Sequence, residues 1–120
     1  MKRFYILALV VFALLMGFGT SLQAQTIWNG TSDVSWYDAS QTAFDISTPE
    51  QLAGVAQLVN NGTTNFNGVT LNLTADIWLN STGDSTNNWV PIGGGSPTGE
   101  SPSTGNPFKG NFNGHGHTIY

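Results

Sequence analysis

The spacing of hydrophobic residues changes near the middle of this 120-residue chain, and this change constrains the fold more than any other feature. Over residues 52–59 the apolar side chains recur at intervals of three and four, which places them on one face of a helix. Over residues 69–79 the interval is two, as in a strand with one buried face. A shorter alternation over residues 42–46 predicts another strand. The sequence therefore predicts strand, helix and strand in that order.

Both ends of the predicted helix carry residues that favour helix termini. Ser47 or Thr48 is suited to the N-cap, and Pro49 to the first turn, where its missing N–H costs nothing. Residues 50–51, Glu-Gln, supply a partner for a capping box. Residues 60–62, Asn-Asn-Gly, are expected to end the helix. Its predicted inward face comprises Leu52, Val55, Ala56 and Val59.

The chain beyond residue 80 is rich in turn-forming residues. Residues 80–107 are predicted to form two polar loops around a short apolar element at residues 89–92. Phe108, Phe112 and Ile119 then mark inward positions that are separated by glycines. This pattern predicts short strands joined by tight turns, in which a β-carbon would collide with its surroundings.

Residues 1–24 have the composition of a cleavable secretory signal peptide. Lys2 and Arg3 precede an apolar run that is shorter than the roughly 20 residues of a membrane-spanning helix, and small residues follow up to Ala24. We therefore predict a secreted or cell-surface protein, cleaved after Ala24, with no transmembrane segment in the mature chain. The alternative is an uncleaved N-terminal anchor.

The mature segment, residues 25–120, is acidic and lacks cysteine. It contains seven Asp and Glu residues, and Lys109 is its only Lys or Arg. Phosphate backbones and anionic membranes require clustered positive charge, so nucleic acid and acidic membrane surfaces are excluded as partners. Disulfides cannot stabilise the segment. Its length suits one small domain, or part of a larger one, and is too short for two independent cores.

Four segments together carry a family resemblance: residues 46–56 (ISTPEQLAGVA), 66–77 (FNGVTLNLTADI), 89–93 (WVPIG) and 108–119 (FKGNFNGHGHTI). They resemble the N-terminal part of bacterial surface proteins that carry GLUG-type repeats. The resemblance covers about residues 28–120. It implies adhesin-like regions, sometimes attached to peptidase domains, and says little about activity because fold does not fix function.

The resemblance also implies an architecture. The fold would be mostly β, the start of a right-handed parallel β-helix of the pectin-lyase-like kind. Residues 48–60 would form a short α-helix that caps it, and residues 69–79 and 108–120 would form its first rungs. Because solenoids need several stacked units, further rungs of the same chain are expected after residue 120, and residues 25–120 would be a truncated domain.

The function expected on this basis is binding of an extracellular glycan or protein through an extended surface, without catalysis. The alternative is the N-terminal capping region of a secreted polysaccharide-degrading enzyme or peptidase, with its active site downstream. A structural spacer is a third alternative. No catalytic, cofactor-binding or metal-binding residue is assigned, and no cofactor is expected. A β-helix polysaccharide lyase would be expected to use a basic residue with bound calcium, and only Lys109 is present.

Two groups of residues are weighed as metal sites. His115 and His117 lie two apart, so that both rings would reach one face of a strand, but a third zinc ligand is missing. A glycine turn that leads into a strand is the preferred interpretation. Residues 84–88 are rich in oxygen ligands for Ca²⁺ but lack the glycine and glutamate of an EF-hand loop, so a solvated loop is preferred.

Aromatic and glycosylation signals are also open to two interpretations. Four tryptophans either stack against sugar rings or cover the end of a small core, and the second interpretation is preferred. They are Trp28, Trp36, Trp78 and Trp89. Four triplets fit the N-glycosylation sequence, although such triplets arise by chance in a chain rich in Asn and Thr. They begin at Asn29, Asn61, Asn72 and Asn80, and residues 84–86 fit an O-glycan acceptor triplet.

Overall fold

The structure is a computed structural model that describes residues 25–80, 87–94 and 105–120. The predicted signal peptide, residues 1–24, lies outside the described residues, as do parts of both predicted loops. In the part that is described, no helix is long and apolar enough to cross a membrane.

One helix and three strands form the regular structure of the described residues. Along the chain they are β1 (Ala43–Ile46), α1 (Pro49–Asn60), β2 (Thr70–Leu73) and β3 (Asn111–Asn113). The strands form one parallel sheet in the order β1-β2-β3. Parallel strands cannot be joined by a tight turn, and α1 provides the crossover between β1 and β2. In the register of the sheet, Phe44 lies opposite Leu71, and Leu71 lies opposite Phe112.

The predicted β-helix is wrong. Three strands of three or four residues in one sheet are too few for a solenoid, and the twelve-residue helix is longer than any of them. The described fold is a small α/β arrangement of one helix and one parallel sheet, and it is not mostly β. Helix α1 is the connection within a β-α-β unit and does not cap stacked rungs. Outside the named strands, pairing within the described residues is limited to two isolated bridges, Ile27 with Trp78 and Ile77 with Ile119.

A long-range side-chain hydrogen bond and a tight turn interrupt the strand pairing of the two predicted rungs. After β2, the carboxylate of Asp76 accepts a hydrogen bond from the backbone N–H of Thr118 at 3.0 Å. After β3, His115 and Gly116 have φ angles of 47° and 79°, a left-handed conformation that an extended strand does not contain. The alternation of apolar and polar residues correctly predicts that Leu71 and other side chains point inward. It does not require that the backbone be hydrogen-bonded to a neighbouring strand along its whole length.

The helix prediction is confirmed, including its ends. The Thr48 side chain accepts a hydrogen bond from the N–H of Gln51, and the Gln51 side chain accepts one from the N–H of Thr48, both at 3.2 Å. These two bonds form a capping box. The helix ends at Asn60, with Asn61 as C-cap and a left-handed Gly62 after it.

The core lies between α1 and one face of the sheet. Its buried side chains form a single cluster, which comprises Phe44, Ile46, Leu52, Val55, Leu58, Val59, Phe66, Leu71, Leu73 and Ile77. Trp36 covers the β1 side of this cluster, with its ring centroid 5.0 Å from that of Phe44. Three of the four residues predicted for the inward face of the helix belong to this cluster, and the fourth, Ala56, is also buried.

The segment before β1 lies along α1 and is hydrogen-bonded to it. The backbone N–H of Asp33 donates to the carbonyl of Glu50 at 2.8 Å, and the indole N–H of Trp36 donates to the carbonyl of Asp33 at 2.7 Å. Gly54 makes this approach possible, since a β-carbon there would lie 2.0 Å from the carbonyl oxygen of Asp33. The contact fixes residues 28–33 beside the helix, where the candidate site is found.

Candidate functional site

An open cleft of about 460 Å³ lies between α1 and two segments, residues 28–32 and 88–90. Trp28 and Trp89 form aromatic walls, and Ala53 and Ala56 of α1 contribute small apolar groups. The polar side chains of its rim are Ser32, Gln57, Asn60, Asn61 and Asn88. None of the described residues that line it is Asp, Glu, Lys, Arg or His. This space is called the tryptophan cleft below.

The two indoles of the cleft meet edge to face. Their centroids are 5.5 Å apart and their planes are inclined by 69°. Trp28 is only 7% exposed, and its indole N–H donates to the carbonyl of Thr31 at 2.6 Å. Because this polar group is already hydrogen-bonded, the small part of the Trp28 ring that reaches the cleft is apolar. Trp89 is partly buried and also borders a second groove.

The small side chains of α1 account for the open volume. Ala53 and Ala56 are three residues apart and therefore share a helix face. A larger residue at either position would fill the space against which Trp28 packs. Ala56 is buried, as the helical spacing predicts, but its role in forming a cleft depends on the tryptophans placed beside it.

Two asparagine side chains hold the wall that carries Trp89. The Asn60 side chain accepts a hydrogen bond from the N–H of Gly93 at 2.8 Å and donates one to the carbonyl of Pro91 at 3.0 Å. Asn87 donates from its side chain to the carbonyl of Trp28 at 2.6 Å. These bonds connect residues that are far apart in sequence. The sequence marks Asn60 only as a helix-ending residue, and no local pattern predicts its partners.

The rim presents mainly hydrogen-bond donors to the cleft. The side-chain oxygen of Gln57 accepts a bond from the Ser32 hydroxyl, and both N–H donors of its NH₂ group are without a protein partner among the described residues. The side-chain oxygen of Asn61 accepts bonds from the N–H and hydroxyl of Thr63, at 3.1 and 2.7 Å. Its NH₂ group likewise has no protein partner among the described residues. A ligand rich in oxygen acceptors therefore matches this rim.

Two of the predicted glycosylation triplets form turns. The side-chain oxygen of Asn29 accepts bonds from the N–H and hydroxyl of Thr31, and Asn61 binds Thr63 in the same way. This side-chain-to-backbone pattern is an Asx turn, which satisfies polar groups locally. Asn72 pairs with Asp45 at 3.4 Å. The abundance of Asn, Ser and Thr thus has a structural role in the turns of this chain.

Two aspartates use the same turn. The Ser35 hydroxyl and N–H donate to Asp33 and hold the pKa of its carboxyl below the usual value. The Ser40 N–H and hydroxyl act in the same way on Asp38 and also lower its pKa. Asp38 is exposed and Asp33 is partly buried, and the lowered pKa keeps both carboxyls ionised at neutral pH.

The two histidines considered for zinc lie in and after a turn, with different partners. Nε2 of His115 is 3.1 Å from the side-chain oxygen of Asn72, and Nδ1 of His117 is 3.2 Å from the carboxylate of Asp76. The N–H of His117 donates to the carbonyl of Gly114 at 2.8 Å, which closes the predicted glycine turn. Within the described residues, no group of three or more His, Cys, Asp and Glu side chains is arranged to hold a metal ion.

Of the remaining residues singled out from the sequence, few of those that the structure describes line the tryptophan cleft. Of the loop considered for calcium, residues 84–86 lie outside the described residues, and of the other two only Asn88 lines the cleft. Lys109 borders a separate polar cleft of about 370 Å³, beside Asn106. Among the described residues, no charged group therefore lies in the lining of the cleft that Trp28 and Trp89 border.

A second apolar surface lies at the open edge of the sheet. Three large side chains there are 40–51% exposed: Phe112, Ile119 and Tyr120. Tyr120 stacks on Trp78, with ring centroids 3.7 Å apart and planes inclined by 11°. Phe112 and Ile119 also line an apolar groove of about 320 Å³, which Trp89 borders as well. This surface is called the apolar edge.

Comparison with known proteins finds no matching family, curated protein or solved structure. The resemblance to surface proteins with GLUG-type repeats therefore stays a prediction.

Proposed function

We propose that this chain is an exported, non-catalytic binding region that holds an extracellular glycan or protein by contact at the tryptophan cleft. The supporting observation is the combination of two indole walls, a floor of small apolar groups and an uncharged polar rim. Binding sites of proteins are typically concave and mainly apolar, with a few polar groups that fix orientation. The volume of the cleft, about 460 Å³, is within the usual range for such sites.

The chemistry of the rim supports binding more than reaction. Amides, a hydroxyl and indoles line the cleft, and none of these groups titrates near neutral pH. General acid–base catalysis requires a titratable group within hydrogen-bond reach of the substrate. Indoles, by contrast, contribute large contact areas at little entropic cost and are common at binding hot spots.

Charge restricts the ligand further. The mature segment has seven carboxylates and one lysine, so its field repels polyanions. Lys109 is placed at a different cleft and does not attract an anion to the tryptophan walls. A neutral or weakly basic ligand is therefore favoured over an acidic polysaccharide.

A paired array experiment tests this proposal. The exported form of the chain is applied to one array of extracellular glycans and one of extracellular matrix proteins. We expect at least one reproducible ligand, whose binding is weakened about tenfold or more by Trp89→Ala, the size expected for loss of an aromatic contact. Tyr120→Ala is the matched control, because this exposed aromatic side chain does not line the cleft. Absence of any ligand on both arrays, or equal loss in both variants, would contradict the proposal.

A further inference from the structure

We infer that the ligand of the tryptophan cleft is an uncharged pyranose ring, bound with its C–H face against indole and its hydroxyl groups on the amide rim. This inference rests on the proposed binding function of the cleft and names its ligand class. A pyranose has an apolar C–H face and hydroxyl groups around its ring. It is therefore matched by an apolar wall with hydrogen-bond donors around it. Trp28 and Trp89 provide the wall, and amide side chains provide the donors.

The position of the donors favours a compact ring over an extended peptide. Gln57 and Asn61 approach from α1 and its end, whereas Asn88 lies next to Trp89 on the other wall. Amide donors can thus reach the oxygen atoms of a bound ligand from both sides of the cleft. An extended peptide presents its carbonyls along a line, and proline-rich segments dock in longer aromatic-lined grooves. In addition, the Trp28 N–H is bound to Thr31 and does not serve as a donor to a peptide carbonyl.

The absence of charge from the described lining selects against acidic sugars. Carboxylated or sulfated rings are usually bound by Arg or Lys, whose donors match an anionic group. The described lining contains neither, and the mature segment is negative as a whole. A uronic or sialic acid would lose hydration without gaining a countercharge, so neutral sugars should be preferred over their acidic counterparts.

Asn60 is assigned the role of positioning residue for this site. Its side chain bonds to the backbone of both Pro91 and Gly93, so it sets the distance between α1 and the wall that carries Trp89. Asn60→Ala removes both bonds, whereas Asn60→Asp keeps the acceptor for Gly93 and removes the donor to Pro91. Asn60→Asp also sets a charged oxygen against the Pro91 carbonyl. Affinity for sugar should therefore be lower in both variants than in the wild type, while the Trp rings themselves are unchanged.

Titration of the purified exported chain with methyl glycosides tests the inference. The probes are the methyl glycosides of glucose, galactose, mannose, xylose and N-acetylglucosamine, with methyl glucuronide and sialic acid as acidic counterparts. We expect saturable binding of at least one neutral glycoside, followed by tryptophan fluorescence. We also expect a loss of about tenfold in Trp89→Ala, corresponding to one lost aromatic contact, and a smaller loss in Trp89→Phe. Asn60→Ala should weaken binding while the thermal midpoint and far-ultraviolet circular dichroism show a folded protein.

Each outcome separates the ligand class from the proposed function. Binding of an acidic sugar in preference to every neutral one would overturn the inference. So would a protein or proline-rich peptide that binds in a Trp89-dependent manner while no neutral glycoside does, and in that case the binding function would stand. If no ligand of any class depends on Trp89, both the inference and the proposed function are wrong. If Asn60→Ala unfolds the chain, Asn60→Asp provides the test of positioning.

Discussion

The carbonyl oxygen of Asp33 lies 2.0 Å from the position that a β-carbon on Gly54 would occupy. No β-carbon tolerates such a distance to a backbone atom, so the N-terminal segment and α1 touch only because residue 54 is glycine. Trp28 and Ser32 belong to that segment and line the tryptophan cleft. The cleft therefore depends on the contact between Gly54 and Asp33. Gly54 is next in sequence to Ala53, which is one of the two α1 alanines that line the cleft.

Gly54→Ala should destabilise the protein although alanine is the better helix former. Alanine would gain about 1 kcal/mol of helix propensity, but overpacking against the Asp33 backbone costs roughly 1–3 kcal/mol and displaces the segment. We expect a lower free energy of unfolding in urea and weaker ligand binding. Gly114→Ala is the control, since its β-carbon would come no closer than 4.0 Å to a neighbour. Equal stability of Gly54→Ala and wild type would show that the contact is not as close as described.

Thr48→Ala should remove the N-terminal half of the capping box. The Thr48 hydroxyl accepts from the Gln51 N–H, and its loss leaves that donor without its capping partner. The expected cost is about 1 kcal/mol in the free energy of unfolding, measured by urea denaturation. Thr48→Ser should retain most of the stability because serine caps equally well. If the serine and alanine variants were equally unstable, capping would not be the cause.

Asp76 should make the stability of the folded protein decrease in acid. The Thr118 N–H, and secondly the ring of His117, donate to this carboxylate and hold its pKa below the usual value. A lowered folded-state pKa contributes stability that is present above the unfolded value and is lost as pH falls through the folded value. We expect Asp76→Asn to reduce the difference in thermal midpoint between about pH 6 and about pH 3, because the amide oxygen still accepts from Thr118 but carries no charge. An unchanged pH dependence in Asp76→Asn would exclude this role.

Export is tested by the N-terminus of the mature protein. If residues 1–24 act as a signal peptide, protein outside the cytoplasm should begin at Gln25. A charge within the apolar run, Leu9→Arg, should retain the chain in the cytoplasm, whereas Leu9→Ile should not. Fractionation and N-terminal sequencing measure both effects. Exported protein that still begins at Met1 would support an uncleaved anchor instead.

Local features of the fold were predictable from sequence, and its long-range arrangement was not. The helix boundaries followed from Thr48, Pro49 and Gly62, because capping acts within a few residues. The inward positions of Leu71 and Leu73 followed from alternation. The inward positions predicted for Phe112 and Ile119 are wrong, since these side chains are 40% and 42% exposed. Alternation does not report how many strands pair, however, and the structure has a three-stranded sheet in place of the predicted solenoid.

The candidate site was only partly predictable for the same reason. The sequence predicts that the tryptophans cover the core. Trp28 is buried, and Trp36 and Trp89 pack against the core cluster, in agreement with this prediction. The sequence does not predict that Trp28 and Trp89 also meet at the tryptophan cleft. Hydrogen bonds from Asn60 to residues 91 and 93, more than thirty positions along the chain, hold Trp89 in place beside Trp28. The spacing of residues in the sequence does not predict such long-range bonds.

The most direct test of the central claim is to record the four indole N–H signals by NMR while a neutral methyl glycoside is added. Trp28 and Trp89 line the tryptophan cleft, Trp36 lies against the core, and Trp78 reports on the apolar edge. The proposed site predicts saturable shifts of the Trp28 and Trp89 signals, with Trp36 and Trp78 nearly unchanged. Shifts confined to Trp78, or no shift at any indole with every neutral sugar tested, would contradict it.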